Sequence, residues 1–185
     1  MDKLTEHSEV STKNLVAIVI GIGVLLMMML LTLYNWVVLG FPNPLELFFE
    51  AMFVFVLVER AGGKYIYERE DRVLRIVKRS FFGSVTTYEI PYKDILGIYL
   101  YKPQLIGVIK FRRTYRLHSA LDRRNVWTMA FAVSDQAGKM ENRRIYFKPS
   151  NTMLTALQGK LSGKVMVPEE TVVTNILKNE GKTKS

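Results

Sequence analysis

LVAIVIGIGVLLMMMLLTLYNWVVL (residues 15–39), GFPNP (40–44) and LELFFEAMFVFVLV (45–58) follow one another, and the reading of these three stretches decides the fold. The first contains one strongly polar side chain, Asn35. As a helix rising about 1.5 Å per residue it would be roughly 37 Å long, more than the roughly 30 Å hydrocarbon core of a bilayer. A signal-peptide core is shorter, roughly 7–15 residues, and ends in a small-residue cleavage site. This run instead ends in Tyr34-Asn35-Trp36, so it is expected to be a retained anchor. The second apolar run starts straight after the Pro42–Pro44 turn. Residues 15–60 are therefore predicted to form a transmembrane helical hairpin, with helices at 15–39 and 44–60.

Charge orients the hairpin. Residues 40–44 carry no Lys or Arg, whereas Lys3 and Lys13 precede the first helix and Arg60, Lys64, Arg69, Arg72, Arg75, Lys78 and Arg79 follow the second. Cationic flanks stay on the cytoplasmic side. A multi-pass protein of the cell membrane is expected, with both termini cytoplasmic and Tyr34 and Trp36 at the outer interface. Among 185 residues the formal net charge is +9, which favours anionic partners. There is no cysteine, which excludes disulfides and thiolate metal sites.

Outside the hairpin the chain divides into three parts. Residues 1–14 are polar and aperiodic and are expected to fray, with Ser11, Thr12 and Asn14 as candidate helix caps. Residues 61–170 start at the Ala61-Gly62-Gly63 hinge and turn strand-like. Strands are predicted near 64–70, 72–82, 85–90, 95–101 and 126–133, with another within 105–117 and one at 143–148. After Pro149-Ser150-Asn151 the period becomes helical, with Met153, Leu154, Leu157 and Leu161 on one face and Gly163 as the stop. Residues 165–167 are expected to dock as a last strand, and 171–185 to form a mobile tail. The fold class is α+β: a transmembrane hairpin, then an antiparallel β domain closed by a C-terminal amphipathic helix.

Two groups of polar residues are candidates for function. Glu46 and Glu50 lie one turn apart in the second apolar run and, with Asn35, form a candidate intramembrane polar site, because charge inside a bilayer is costly. The plainer reading puts Glu46 at the outer interface, with Glu50 reaching toward it or toward Asn35. Gly21, Gly23 and Met27, Met28 and Met29 fit helix packing. The passage 110–124 holds Lys110, Arg112, Arg113, Arg116, Arg123 and Arg124 against Asp122, with Phe111, Tyr115 and Leu117 interleaved. Together with Arg143 and Arg144 these form a candidate surface for anionic lipid or an acidic partner, since guanidinium forks suit phosphate oxygens. The competing reading is a solvated strand face.

Signatures of catalysis are scarce. His7 lies in the polar terminus and His118 among cations. No H-E-x-x-H, G-x-S-x-G, Walker A or G-x-G-x-x-G passage occurs. Glu68, Glu70 and Asp71 read as a solvated turn, and Asp94 as a residue that bonds backbone in a corner. No enzyme activity, cofactor or metal is expected.

The passage Tyr88-Glu89-Ile90-Pro91-Tyr92-Lys93-Asp94-Ile95-Leu96-Gly97-Ile98 resembles the I-P-x-x-D-I passage of bacterial PH-like domains, which often follow a two-helix membrane anchor. The resemblance covers residues 64–167. The layout is also similar to the photosystem I assembly factor with two N-terminal helices found in plastids and cyanobacteria. The basic stretch 110–124 departs from the PH-like pattern. The resemblance implies a binding or scaffolding module on the cytoplasmic face, engaging a membrane-protein partner, a second copy of itself or anionic headgroups. The alternative is a small accessory subunit of a transporter or channel that uses Glu46 and Glu50. Nucleic-acid binding through Phe111 and Tyr115 is not favoured.

Overall fold

The computed structural model describes residues 3–102, 111–134, 138 and 140–182. The chain opens with strand β1 (Leu4–His7), then helices α1 (Thr12–Leu39) and α2 (Pro44–Gly62). Seven strands follow: β2 (Lys64–Arg69), β3 (Val73–Arg79), β4 (Val85–Pro91), β5 (Ile95–Leu100), β6 (Arg113–Arg116), β7 (Trp127–Ser134) and β8 (Met140–Phe147). Helices α3 (Asn151–Lys160) and α4 (Glu169–Lys182) end the described chain. The architecture is α+β.

The two apolar runs form helices that pack on each other. Gly40, at φ 70°, stops α1, while Asn43 caps α2 by accepting the Glu46 amide at 3.3 Å, and Pro44 takes the first helical position. Positions withdrawn from solvent recur every three to four residues, at Ile18, Gly21, Leu25, Met29 and Thr32 on α1 and at Leu47, Glu50, Val54 and Leu57 on α2. The other faces of both helices are exposed apolar surface, from Val16 to Val38 and from Leu45 to Val56. Of the two, α1 is long and apolar enough to cross a membrane. Helix α2 is 19 residues long and carries Glu46, Glu50, Glu59 and Arg60.

The segment before α1 differs from the expected frayed terminus. Strand β1 pairs antiparallel with β2, Leu4 opposite Arg69 and His7 opposite Ile66. It is pinned by Glu6, whose carboxylate accepts the Ser150 amide at 2.9 Å and the Ser150 hydroxyl at 2.6 Å and pairs with Arg124. Leu4 packs against the core. The body therefore starts at Leu4 rather than at residue 61, and the helical hairpin is inserted between two neighbouring strands.

Two four-stranded sheets make the body, in the orders β1-β2-β3-β4 and β5-β7-β8-β6. The first is antiparallel throughout. The second is mixed, because β6 runs parallel to β8, which corrects the all-antiparallel expectation. Alternation fills the space between the sheets: Tyr67, Leu74, Ile76, Ile98, Met129, Ile145 and Phe147 are buried there. Helix α3 closes it with Met153, Leu154 and Leu157, and Ser150 Oγ caps the helix by accepting the Met153 amide at 3.1 Å. Of the strand expected within 105–117, β6 lies at its C-terminal part, and residues 103–110 are outside the described residues. The expected strand at 165–167 reduces to one bridge, Val165 to Ile98.

Residues 171–182 of the expected mobile tail instead belong to helix α4, docked on the outer face of the second sheet, and 183–185 lie outside the described residues. Val172 and Ile176, each 1% exposed, pack on Tyr99 and Ala130. Burying two such side chains contributes about 1.5–3 kcal/mol each, enough to hold a short polar helix. The dock needs Gly97: a Cβ there would lie 2.4 Å from Val172 Cγ2. Valine is stiff about χ1 and cannot swing aside freely. Gly97→Ala should therefore destabilise the chain by about 1–3 kcal/mol through overpacking. Adding Val172→Ala should recover part of that loss, a non-additivity read from denaturant unfolding of the two single variants and the double variant. Strict additivity would mean that α4 does not rest on Gly97.

Candidate functional site

Pairing of β1 with β2 brings the two feet of the hairpin side by side. Under the start of α1 lies the loop from Leu117 to Asn125. Ser11 donates its amide to the Leu121 carbonyl at 2.9 Å, and the Asn14 side chain donates to the Ala120 carbonyl at 3.2 Å. Fully buried Asp122 organises this loop, accepting the Glu9 amide at 3.2 Å, the Arg124 amide at 2.9 Å and Arg124 Nη2 at 2.6 Å. Lys148 Nζ donates to the Asp122 carbonyl.

Beside the foot of α2 sits the β3–β4 turn. Ser80 Oγ donates to Glu59 at 2.7 Å, and Lys78 pairs with the same carboxylate at 3.5 Å. Phe82 stacks on Phe55 of α2 with centroids 5.0 Å apart, and Phe81 meets Phe82 edge-on at 5.3 Å. Both rings stay largely exposed, at 58% and 59%. Gly62 allows this approach, since a Cβ there would fall 2.3 Å from Phe81 Cδ2.

Between the two feet opens a cavity of about 340 Å³, lined by Glu59, Arg60, Tyr65, Lys78, Arg116 and His118 with Tyr101, Ala120, Val126 and Tyr146. It shares Tyr101, Arg116 and Tyr146 with a second hollow of about 610 Å³, where Lys102 and Arg144 face Thr128 and Glu169. The Glu169 carboxyl is held above its usual range, chiefly by burial and then by Glu170, with Arg144 and Lys102 opposing. Its Oε2 and the Thr128 hydroxyl are buried with no hydrogen-bond partner among the described residues.

The basic candidates do not form one surface. Lys110 lies outside the described residues. Arg112 and Arg143 both pair with the buried carboxylate of Glu141, Arg143 at 3.2 Å. Arg124, 14% exposed, is held between Asp122 and Glu6 and serves the body's interior. Arg113 and Arg123 are exposed. Arg144 donates to Thr114 Oγ1 at 2.9 Å and stacks over Phe111 and Tyr146 at 4.9 and 5.2 Å. Of the whole set, Arg116 and Arg144 reach the hollows.

Nor do the intrahelical candidates assemble. Glu46 belongs to the cap of α2, where Asn43 Nδ2 donates to it at 2.6 Å. Asn35 is exposed, and its carbonyl accepts the Phe41 amide at 3.2 Å. Glu50 is 5% exposed and accepts from Thr32 Oγ1 of α1 at 3.3 Å, while its Oε2 has no partner among the described residues. Glu50 is expected to reach toward the outer interface or toward Asn35; the seam geometry selects Thr32, the only aliphatic hydroxyl in the apolar run. Among the described residues, no three His, Cys, Asp or Glu side chains come close enough to hold a metal ion.

Sequence reasoning counted Arg60 and Lys78 only as orienting charges and passed over the Phe81-Phe82 pair. Two adjacent aromatics in a turn were a usable signal for the latter. Nothing local marks Arg60, Lys78 and Arg116 as neighbours, because three separate elements deliver them. No protein-family model matches the chain, and no curated protein or solved structure matches it.

His118 gives the site a pH signature. Burial, then the Lys148 charge, hold its imidazole below the usual value; Arg116 adds to this, while the Ser119 carbonyl and Asp122 oppose it. In the unfolded chain a histidine titrates near about 6.5. Above that pH both states are neutral there. As pH falls through it, only the unfolded state takes the proton, so folding stability drops. His118→Gln should flatten that part of the loss when unfolding is followed from neutral to mildly acidic pH. Parallel curves for variant and wild type would refute the assignment.

Proposed function

We propose that this chain is a membrane-anchored binding module. The α1–α2 hairpin crosses the cell membrane twice and holds the two-sheet body against the cytoplasmic leaflet. There the body engages anionic headgroups and a membrane-protein partner or a second copy of itself. The observation that carries this reading is the pairing of β1 with β2. The strand before α1 and the strand after α2 are neighbours in one sheet. For a chain that leaves through α1, this pairing favours return through α2.

The composition of α2 is compatible with that return. At about 1.5 Å per residue it spans about 28 Å, close to the roughly 30 Å hydrocarbon core. Its polar groups are placed where a bilayer tolerates them: Glu46 at the far end in the Asn43 cap, Glu59 and Arg60 at the body end, and Glu50 turned against α1. Phe81 and Phe82 beside the foot of α2 suit the interfacial layer, where amphipathic and aromatic groups collect. Cations on the body side add attraction to anionic lipid, about 1 kcal/mol for each that lies near the surface. The sheets, the closing helix α3 and the fully buried Ile95 and Ile98 after Pro91 support a PH-like reading of the body.

Topology is directly testable, because the chain has no cysteine of its own. Pro42→Cys should react with a membrane-impermeant maleimide on intact cells, and Gly159→Cys only after permeabilisation. Labelling of Gly159→Cys from outside, or recovery of detergent-free, dissolved monomer, would end the proposal. The unpartnered Glu50 Oε2 favours one second reading, an accessory subunit of a transporter or channel. Under the binding-module reading Glu50→Gln should leave cellular function intact. Loss of function with an unchanged melting temperature would favour the transport reading instead.

A further inference from the structure

We propose that the cavity between the feet of the hairpin is a phosphate site, taking the phosphodiester of an anionic phospholipid or a soluble phosphate ester. Three cations from three separate elements line it: Arg60 from the last turn of α2, Lys78 from β3 and Arg116 from the end of β6. One carboxylate, Glu59, opposes them, and it is already bound by Ser80 Oγ at 2.7 Å and by Lys78 at 3.5 Å. Neither arginine has a carboxylate partner among the described residues. With Lys78 matched by Glu59, the two guanidinium charges of Arg60 and Arg116 are left in excess, in a hollow whose volume lies at the lower end of the roughly 300–1,000 Å³ typical of small-molecule sites.

Chemistry and place agree. Two guanidinium forks offer planar paired donors that match phosphate oxygens. The half-buried His118 and the phenols of Tyr65 and Tyr101 provide further hydrogen-bonding groups on the walls. The cavity lies level with Arg60, where α2 enters the body, and beside the turn whose Phe82 ring rests on Phe55. A phospholipid standing next to α2 would therefore present its phosphate at the height of the cavity, with its chains along exposed Phe55 and Phe82. That lipid source rests on the hairpin crossing the bilayer; a soluble ester does not require it.

The test uses the full chain in maltoside micelles and two probes. Phosphatidylglycerol, against phosphatidylcholine, is scored by native mass spectrometry. Glycerol 1-phosphate is titrated by calorimetry. Arg60→Gln with Arg116→Gln should weaken binding of the effective probe at least about tenfold, the cost of losing charge-assisted contacts. The charge-matched pair Arg72→Gln with Lys160→Gln, at the opposite end of the body, should leave it unchanged. Arg116→Gln alone, an exposed strand-end change, carries the test should the double variant lose its cooperative melt. Retention of phosphatidylglycerol alone identifies a lipid source, and binding of glycerol 1-phosphate a soluble one. No binding of either probe, or equal binding by wild type and the arginine variants, overturns the proposal. If both probes fail while Pro42→Cys labels from outside, only the cavity assignment falls. If the labelling fails, the glycerol 1-phosphate measurement still stands.

Discussion

The ladder between Leu4–His7 and Lys64–Arg69 constrains everything else in this molecule. Four residues that precede a long apolar helix are zipped to the strand that follows a second helix. The pairing fixes the separation of the two helix feet and makes the hairpin a loop of the first sheet, however long. It also brings Arg60, Lys78 and the loop carrying His118 to one place. The ladder does not act alone. Glu6 ties its outer strand to Ser150 and Arg124, so the N-terminus, the loop after β6 and the cap of α3 share one set of hydrogen bonds. Such a shared network is cooperative, because losing one member leaves the others buried and unpaired.

The hairpin is held by different physics. Its outward faces are apolar and exposed, so in water they would be unfavourable, and in lipid they cost nothing. Between the helices, the half-buried side chains of Leu25 and Val54 line the seam, and the Thr32–Glu50 hydrogen bond adds polar glue. Hydrogen bonds of that kind in membrane helices average about 0.6 kcal/mol, so the contact selects a register more than it supplies stability. The body depends instead on area burial around Tyr67, Phe147 and α3.

Periodicity made much of this legible. The apolar run, the proline turn, the alternation of Trp127, Met129 and Phe131, and the Ser150 cap each announce themselves locally. What escaped was long-range. Residues 4–7 carry no apolar alternation, and their strand exists because β2 offers an edge and Ser150 offers donors to Glu6 from the other end of the chain. Helix α4 contains only a small apolar cluster, and its docking depends on a missing side chain at Gly97 in a distant strand. For the candidate site, the count of arginines was readable but their partners were not. Glu141 and Asp122 neutralise Arg112, Arg143 and Arg124, while Arg60, classed only as an orienting charge, lines a cavity.

The inserted hairpin also imposes an order on biosynthesis. The first edge strand emerges from the ribosome before either helix, and its partner only after both. Until then Leu4–His7 has nothing to pair with, and the partner strand, once made, presents an open edge of the kind that invites aggregation. If the hairpin crosses a membrane as proposed, a chain whose second helix failed to come back would keep that edge open and its N-terminus adrift. On that reading, closing the sheet acts as a checkpoint that only correctly threaded molecules can pass, written into the pairing of the strands themselves.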